Sequence, residues 1–258
     1  ATNVSGAWGT TTVDNTSSAD TGQYTSIEVG SSGAVYIGYY NVGSSSLMYA
    51  TNVSGAWGTT TVDNTTSADT GAYSSIAVGT SGAVYISYFD DTNDNLMYAT
   101  NASGAWGTTT VDSTTSAFTG EFCSIAVGTS GAVYISYFDN TNGNLMYATN
   151  VSGTWGTTTV DSTGTTGWYT SMAVGSEFIT YYDASNGNLM YATTALPTGT
   201  TGATSNVTTD SATLAGTVNG RGLPTTAMFS YGVTSGGYTA TSTTQSVSGT
   251  AVSIGISG

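Results

Sequence analysis

The side chains able to do chemistry in this chain are almost all carboxylates. Asp and Glu number 15, against one arginine (Arg221), no lysine, no histidine and one cysteine, Cys123. Without histidine, Ser-His-Asp and Cys-His catalysis lack their base. A zinc site lacks its usual ligands, and one cysteine forms no internal disulfide. Paired carboxylates can still cleave a glycosidic bond, one as acid and one as base or nucleophile. The acids, however, recur in phase. Asp14, Asp63, Asp112 and Asp161 stand 49 residues apart. An acid present once in every copy of a unit reads as a turn or cap residue, and the expectation is a protein that is not an enzyme.

A second set of acids opens oxygen-rich segments: D-D-T-N-D-N at 90–95, D-N-T-N-G-N at 139–144 and D-A-S-N-G-N at 183–188. Oxygen donors at this density suit calcium, so Asp90, Asp139 and Asp183 are the candidate metal ligands. The EF-type spacing and its bidentate Glu are missing, and the first copy starts with Asn41. Hairpin turns account for the same residues, and no cofactor is required.

The elements that would position these groups are repeats. Trp8, Trp57, Trp106 and Trp155 keep the 49-residue period inside nearly constant words, such as A-T-N-V-S-G-A-W-G-T-T-T-V-D at 1–14 and again at 50–63. A fixed period of this length marks one supersecondary unit copied along the chain. Within a unit, S-I-A-V-G (75–79), A-V-Y-I-S-Y-F-D (83–90), N-L-M-Y-A-T-N (95–101) and W-G-T-T-T-V-D (106–112) read as four strands joined by Gly, Ser, Asn and Asp turns. No helical periodicity is present. Antiparallel four-stranded units at this spacing predict propeller blades.

The words S-I-A-V (75–78), V-Y-I-S-Y-F-D (84–90) and L-M-Y-A-T (96–100) resemble bacterial β-propeller repeats of the sialidase-like, BNR type, over roughly residues 1–194. The resemblance implies blades, not an activity. Sialidase-type catalysis needs an arginine cluster for the substrate carboxylate, and Arg221 lies outside the repeats. The family's S-x-D-x-G-x-x-W box is also not present in that form.

Complete units run 26–63, 75–112 and 124–161. A fourth starts at Ser171 but lacks its last strand, and residues 8–14 supply an unattached one. The expected architecture is an all-β, four-bladed propeller over 1–194, closed by pairing 8–14 with 189–194; pairing with a neighbouring subunit is the alternative. Residues 195–203 read as a linker. Residues 204–258 resemble part of a fibronectin type III-like (Ig-like) β-sandwich of surface proteins, carried by 210–219, Gly222-Leu223 and 229–232. Such sandwiches need about 100 residues, so the reading is either a truncated sandwich or one whose missing strands are donated by another copy.

Aromatic residues recur in rows that include Tyr39, Tyr88, Tyr137 and Tyr181, and blade-to-blade packing explains most of them. For sugar stacking, Trp57 and Tyr73 with their equivalents, Trp106 among them, are the candidates because they flank the long inter-unit loop. A net charge of −14 excludes nucleic acid as a partner. No apolar run is long enough for membrane insertion by a helix. Seven Asn-X-Ser/Thr sequons occur, at Asn3, Asn15, Asn52, Asn64, Asn101, Asn150 and Asn206, compatible with a glycosylated extracellular or cell-surface protein. The reading is a non-catalytic structural protein, a filament or surface subunit whose partners are copies of itself through strand exchange. The alternative is a multivalent glycan-binding adhesin.

Overall fold

The computed structural model describes residues 6, 9–15, 20–65, 69–113, 118–174, 177–194, 197–219, 225–232, 240–246 and, by backbone, 251–257. Its contacts divide the chain into two units, 1–192 and 193–258. The described residues are all β, with no helix.

The first unit is a succession of antiparallel sheets, each a meander. The first contains β1 (Thr21–Val29), β2 (Val35–Asn41), β3 (Ser46–Thr51) and β4 (Gly58–Asp63). The second contains β5 (Thr70–Val78), β6 (Val84–Asp90), β7 (Asn95–Thr100) and β8 (Gly107–Asp112). The third contains β9 (Thr119–Val127), β10 (Val133–Asp139), β11 (Asn144–Thr149) and β12 (Gly156–Asp161). The fourth has three strands, β13 (Thr166–Ala173), β14 (Phe178–Asp183) and β15 (Asn188–Thr193). Burial differs from strand to strand. Every residue of β6 is buried, whereas the G-T-T-T starts of β4, β8 and β12 are exposed. A strand covered on both faces reads as a continuous apolar run. The outer strand keeps β-propensity through threonine while meeting water with hydroxyls.

Consecutive sheets stack face to face and at very short range. Leu47, Leu96 and Leu145 are 0% exposed. Opposite them stand Gly71, Gly120 and Gly167, each with positive φ. A methyl group on these glycines would lie 2.8, 2.7 and 2.8 Å from the facing leucine Cα. Only glycine permits that approach. A backbone bond closes each junction: Thr70 N–H to Ser45 O (3.2 Å), Thr119 N–H to Asp94 O (3.1 Å) and Thr166 N–H to Gly143 O (2.8 Å).

The two ends differ from the expected closure. β1 packs on β5, β5 on β9 and β9 on β13, but β13 has no comparable packing on β1. Residues 9–14 form no strand, and the fourth sheet ends at β15 among the described residues. Val13 instead packs with Tyr39, Met48 and Ala50 of the first sheet. Trp8 lies outside the described residues.

The second unit contains β16 (Thr198–Thr201), β17 (Ser211–Asn219), β18 (Thr226–Ala227), β19 (Ser230–Tyr231), β20 (Ala240–Thr241), β21 (Gln245–Ser246) and β22 (Ala251–Ser257). They form a β16–β17–β22 sheet and two short ladders, β18–β21 and β19–β20. β16 falls within the stretch read as linker. These strands carry the fibronectin-like reading no further than an all-β unit.

The glycine spacing gives a quantitative expectation. Gly120→Ala adds a clash of order 1–3 kcal/mol to the roughly 1 kcal/mol cost of a left-handed alanine. Gly22→Ala meets nothing within 4 Å and should show only the second cost. Urea midpoints measure the difference, and equal losses would mean that the sheets are not held at this distance.

Candidate functional site

The in-phase acids serve the junctions between sheets. Tyr39, Tyr88, Tyr137 and Tyr181 donate from their hydroxyls to Asp14, Asp63, Asp112 and Asp161, at 2.6, 2.6, 2.6 and 2.7 Å. Each bond ties the last segment of one unit to the second strand of the next. Burial, then the adjacent carboxylate, pushes the Tyr88 and Tyr137 phenols far above their ordinary range. These tyrosines remain protonated donors, and one acid accepts at each junction.

The calcium candidates are turn residues. Asp90 Oδ1 accepts from the backbone of Thr92 and Asn93, and its Oδ2 accepts from the Asn93 amide. Asp139 is held by Asn142 in the same way, and Asp183 by Ser185 and Asn186. All three are buried. Among the described residues, no group of three or more His, Cys, Asp or Glu residues is placed to hold a metal. Of the sequon residues, Asn52, Asn101 and Asn150 accept from the backbone of Val35, Val84 and Val133, each at 2.8 Å. Asn15, Asn64 and Asn206 are exposed, and Asn3 lies outside the described residues.

Tyr73 and its equivalents stand apart from these packing residues. In the pairing of β5 with β6, Ala72 faces Phe89 and Ser75 faces Ser87, so Tyr73 and Ser74 together oppose Tyr88. This is a β-bulge, and the same register shift recurs in the other three sheets. The first bulged residue is aromatic every time: Tyr24, Tyr73, Phe122 and Tyr169, with φ of 50, 53, 51 and 53°. A bulky residue in the left-handed region is unfavourable by about 1–3 kcal/mol. Bulges re-aim side chains, and here they line up four rings from four sheets. Successive ring centroids are 4.8, 4.7 and 4.6 Å apart and tilted. Tyr24 (43%) and Tyr169 (66%) are exposed, and the two inner rings are half-buried.

Each bulge is anchored from the next sheet. Ser74 Oγ, Cys123 Sγ and Thr170 Oγ1 donate to the carbonyls of Tyr24, Tyr73 and Phe122 at 2.7, 3.0 and 2.9 Å. Cys123 therefore does a hydroxyl's work. Burial pushes its thiol up to about 12, which makes it inert as a nucleophile. Acidic groups gather beside the middle of the row. The Tyr73 phenol is pushed up to about 12 by burial and by the charges of Glu121 and Asp91. The Glu121 carboxyl is raised by burial, opposed by a bond to Asn140, with Asp91 and Asp94 adding to the rise. Half-exposed rings thus lie beside carboxylate and amide groups.

The candidate tryptophans do not join this row. Trp106 sits edge-on against Tyr49 at 5.2 Å, and Trp155 takes the same place on Tyr98 at 5.1 Å. Trp57 packs with the Tyr39, Met48 and Ala50 cluster. The row itself was readable in the sequence, since Tyr24, Tyr73 and Phe122 keep the 49-residue period and Tyr169 follows at 47. The signal that sets it apart, the bulge, is a property of register.

No family model and no curated protein matches the chain. Solved structures similar to it include a fucose lectin from Kordia zhangzhouensis in complex with methyl-fucoside. The two are 15% identical with a TM-score of 0.39, over 52% of this chain and 96% of that one. An arginine-to-alanine triple mutant of AofleA from Arthrobotrys oligospora is 13% identical with a TM-score of 0.44, over 93% and 90%. The polysaccharide lyase Uly1 is 10% identical with a TM-score of 0.37, over 76% and 55%. None of these likenesses carries an argument about this chain's ligand.

The junction tyrosines set an alkaline limit. Below about pH 10 both folded and unfolded phenols are protonated, and stability is flat. Above it the unfolded chain releases protons that Tyr88 and Tyr137 keep, so stability falls by up to about 1.4 kcal/mol per pH unit for each. Tyr88→Phe should lower stability at neutral pH and flatten this alkaline decline by one proton's contribution. Urea melts of both proteins across the range measure it, and an unchanged slope would remove the assignment.

Proposed function

We propose that the chain is a non-catalytic, multivalent glycan-binding protein of the cell exterior, and that the row of Tyr24, Tyr73, Phe122 and Tyr169 is its sugar-facing surface. The four sheets are read as propeller-type blades. The observation that carries the proposal is the row itself. Four aromatic residues occupy the same unfavourable backbone conformation at four matched bulges, and they keep partial exposure where a packing role would bury them. Strain of this kind persists where the surrounding structure enforces it. Aromatic faces supply apolar contact to sugar rings, while Glu121, Asp91 and Asn140 offer acceptors and donors to hydroxyls. Repetition supplies several equivalent contacts, each of which can be weak, and their combination gives avidity. The hydroxyl-rich outer strands and the exposed sequons at Asn15, Asn64 and Asn206 fit an exterior location.

A second reading, a structural subunit that assembles with itself, is favoured by the uncovered faces at the two ends of the succession.

The glycan reading is tested by applying the full chain to a glycan array, followed by titration of the best hit. Tyr73→Asn removes the ring while suiting the left-handed backbone. It should weaken binding by about tenfold, near 1.4 kcal/mol, with the fold retained. Trp106→Phe should leave affinity within a factor of about two, which is under 0.5 kcal/mol. A folded chain that binds nothing on the array would overturn the proposal.

A further inference from the structure

Three junctions between consecutive sheets share one construction, and the two ends of the succession carry its two halves unmated. In the first junction, Leu47 shares one buried cluster with Ile76, Ile86, Tyr88 and the partly buried Val62, with Gly71 pressed against its backbone. At the start of the succession the corresponding residues, Val13, Gly22, Thr25, Ile37 and Tyr39, line an open cleft of about 290 Å³. A methyl group on Gly22 would meet nothing within 4 Å. At the far end stands the fourth leucine. Leu189 is 85% exposed, where its three equivalents are 0%.

The polar half of the junction divides the same way. Within the chain, Ile76, Ile125 and Met172 donate from their backbone to Ser26, Ser75 and Ser124 at 3.1, 3.2 and 3.0 Å. The start offers Ile27 at that position and the end offers Ser171. Thr25 occupies the place of Ser74, Cys123 and Thr170, and the Tyr169 carbonyl occupies the place of those they bind. Ile27 is 64% exposed, against 4% for Ile76 and 6% for Ile125.

We propose that the fourth sheet of one copy docks on the first sheet of a second copy, seating Leu189 in the Gly22 cleft and repeating between chains the junction built three times within one. The occupant is a second copy because both halves are on the same chain while β13 has no packing on β1 comparable to that at the other junctions. Residues 9–14, already placed beside Tyr39 through Asp14, carry the G-T-T-T-V-D word of β4, β8 and β12. Leu47 faces Asp63 across β3 and β4. By the same register, Leu189 of one copy faces Asp14 of the next, and the second copy supplies the fourth strand missing beside β15. The contact is heterologous, so it propagates head to tail into a ring or filament. A charge of −14 per copy opposes it, so salt favours assembly.

Sedimentation velocity of the full chain over a wide concentration range, at low and high salt, tests this independently of glycan binding. The wild type should form concentration-dependent oligomers that grow with salt. Leu189→Asp changes a solvent-facing side chain, so its far-UV circular dichroism should match wild type, and it should weaken association by at least about 100-fold. Gly22→Ala fills the cleft and should do the same. An equimolar mixture of the two variants retains one good head and one good tail, and should give heterodimers and nothing larger. A wild type that stays monomeric at millimolar concentration and high salt overturns the proposal, whether its ends are bare or closed on each other. So do oligomers that both variants leave intact.

Discussion

The fold depends on how closely one sheet can approach the next. At three junctions a glycine in the left-handed region lets the backbone of one inner strand reach the Cα of a fully buried leucine on the preceding sheet. Everything else in the junction is set by that separation. At this distance the serine, cysteine or threonine beside the bulge can reach a carbonyl across the gap. So can a tyrosine hydroxyl its aspartate. A side chain larger than hydrogen at the glycine would part both sets of bonds at once. The glycine thus serves the polar network as much as the apolar packing.

The same separation explains why acids in a chain with one arginine are tolerated at buried positions. Asp63, Asp90, Asp112, Asp139 and Asp183 are all buried. Among the described residues, the bonds they accept come from neutral donors, either tyrosine hydroxyls or turn amides and hydroxyls.

Much of the fold was legible because the repeat is nearly verbatim. The strands of each unit and their turns follow from phase. Asp14, Asp63, Asp112 and Asp161 read only as turn or cap residues, and their bonds to the next unit's tyrosines are legible only in the structure. The inner strand was underestimated. S-I-A-V-G reads as five residues from Ser75, whereas β5 begins at Thr70. The bulge at Tyr73 and Ser74 breaks the alternation of period two, so the residues before it look like loop. Tyr73 and its equivalents are recognisable by period, but only the register shows that they sit at bulges that bring their rings into one row. The shortened loop before the fourth unit leaves Ser171 in the place of Ser124 and Thr170 in that of Cys123. The tryptophans, candidates because they flank the long inter-unit loop, make ring contacts with Tyr49 and Tyr98 or join an apolar cluster, which the sequence does not reveal. Closure of the succession could not be read from phase, because residues 9–14 fit the first sheet as well as the last.

The tyrosine–aspartate bond has a consequence for how such a chain can change length. Each bond spans the boundary that the repeated words define, so the last segment of a copy is energetically part of the copy that follows. Gene-level gain or loss of one whole period removes and restores identical partners. The stack can therefore lengthen or shorten by units, with nearest-neighbour coupling preserved throughout and the terminal surfaces left as they were. Copy number becomes a variable that selection can adjust without redesigning any contact.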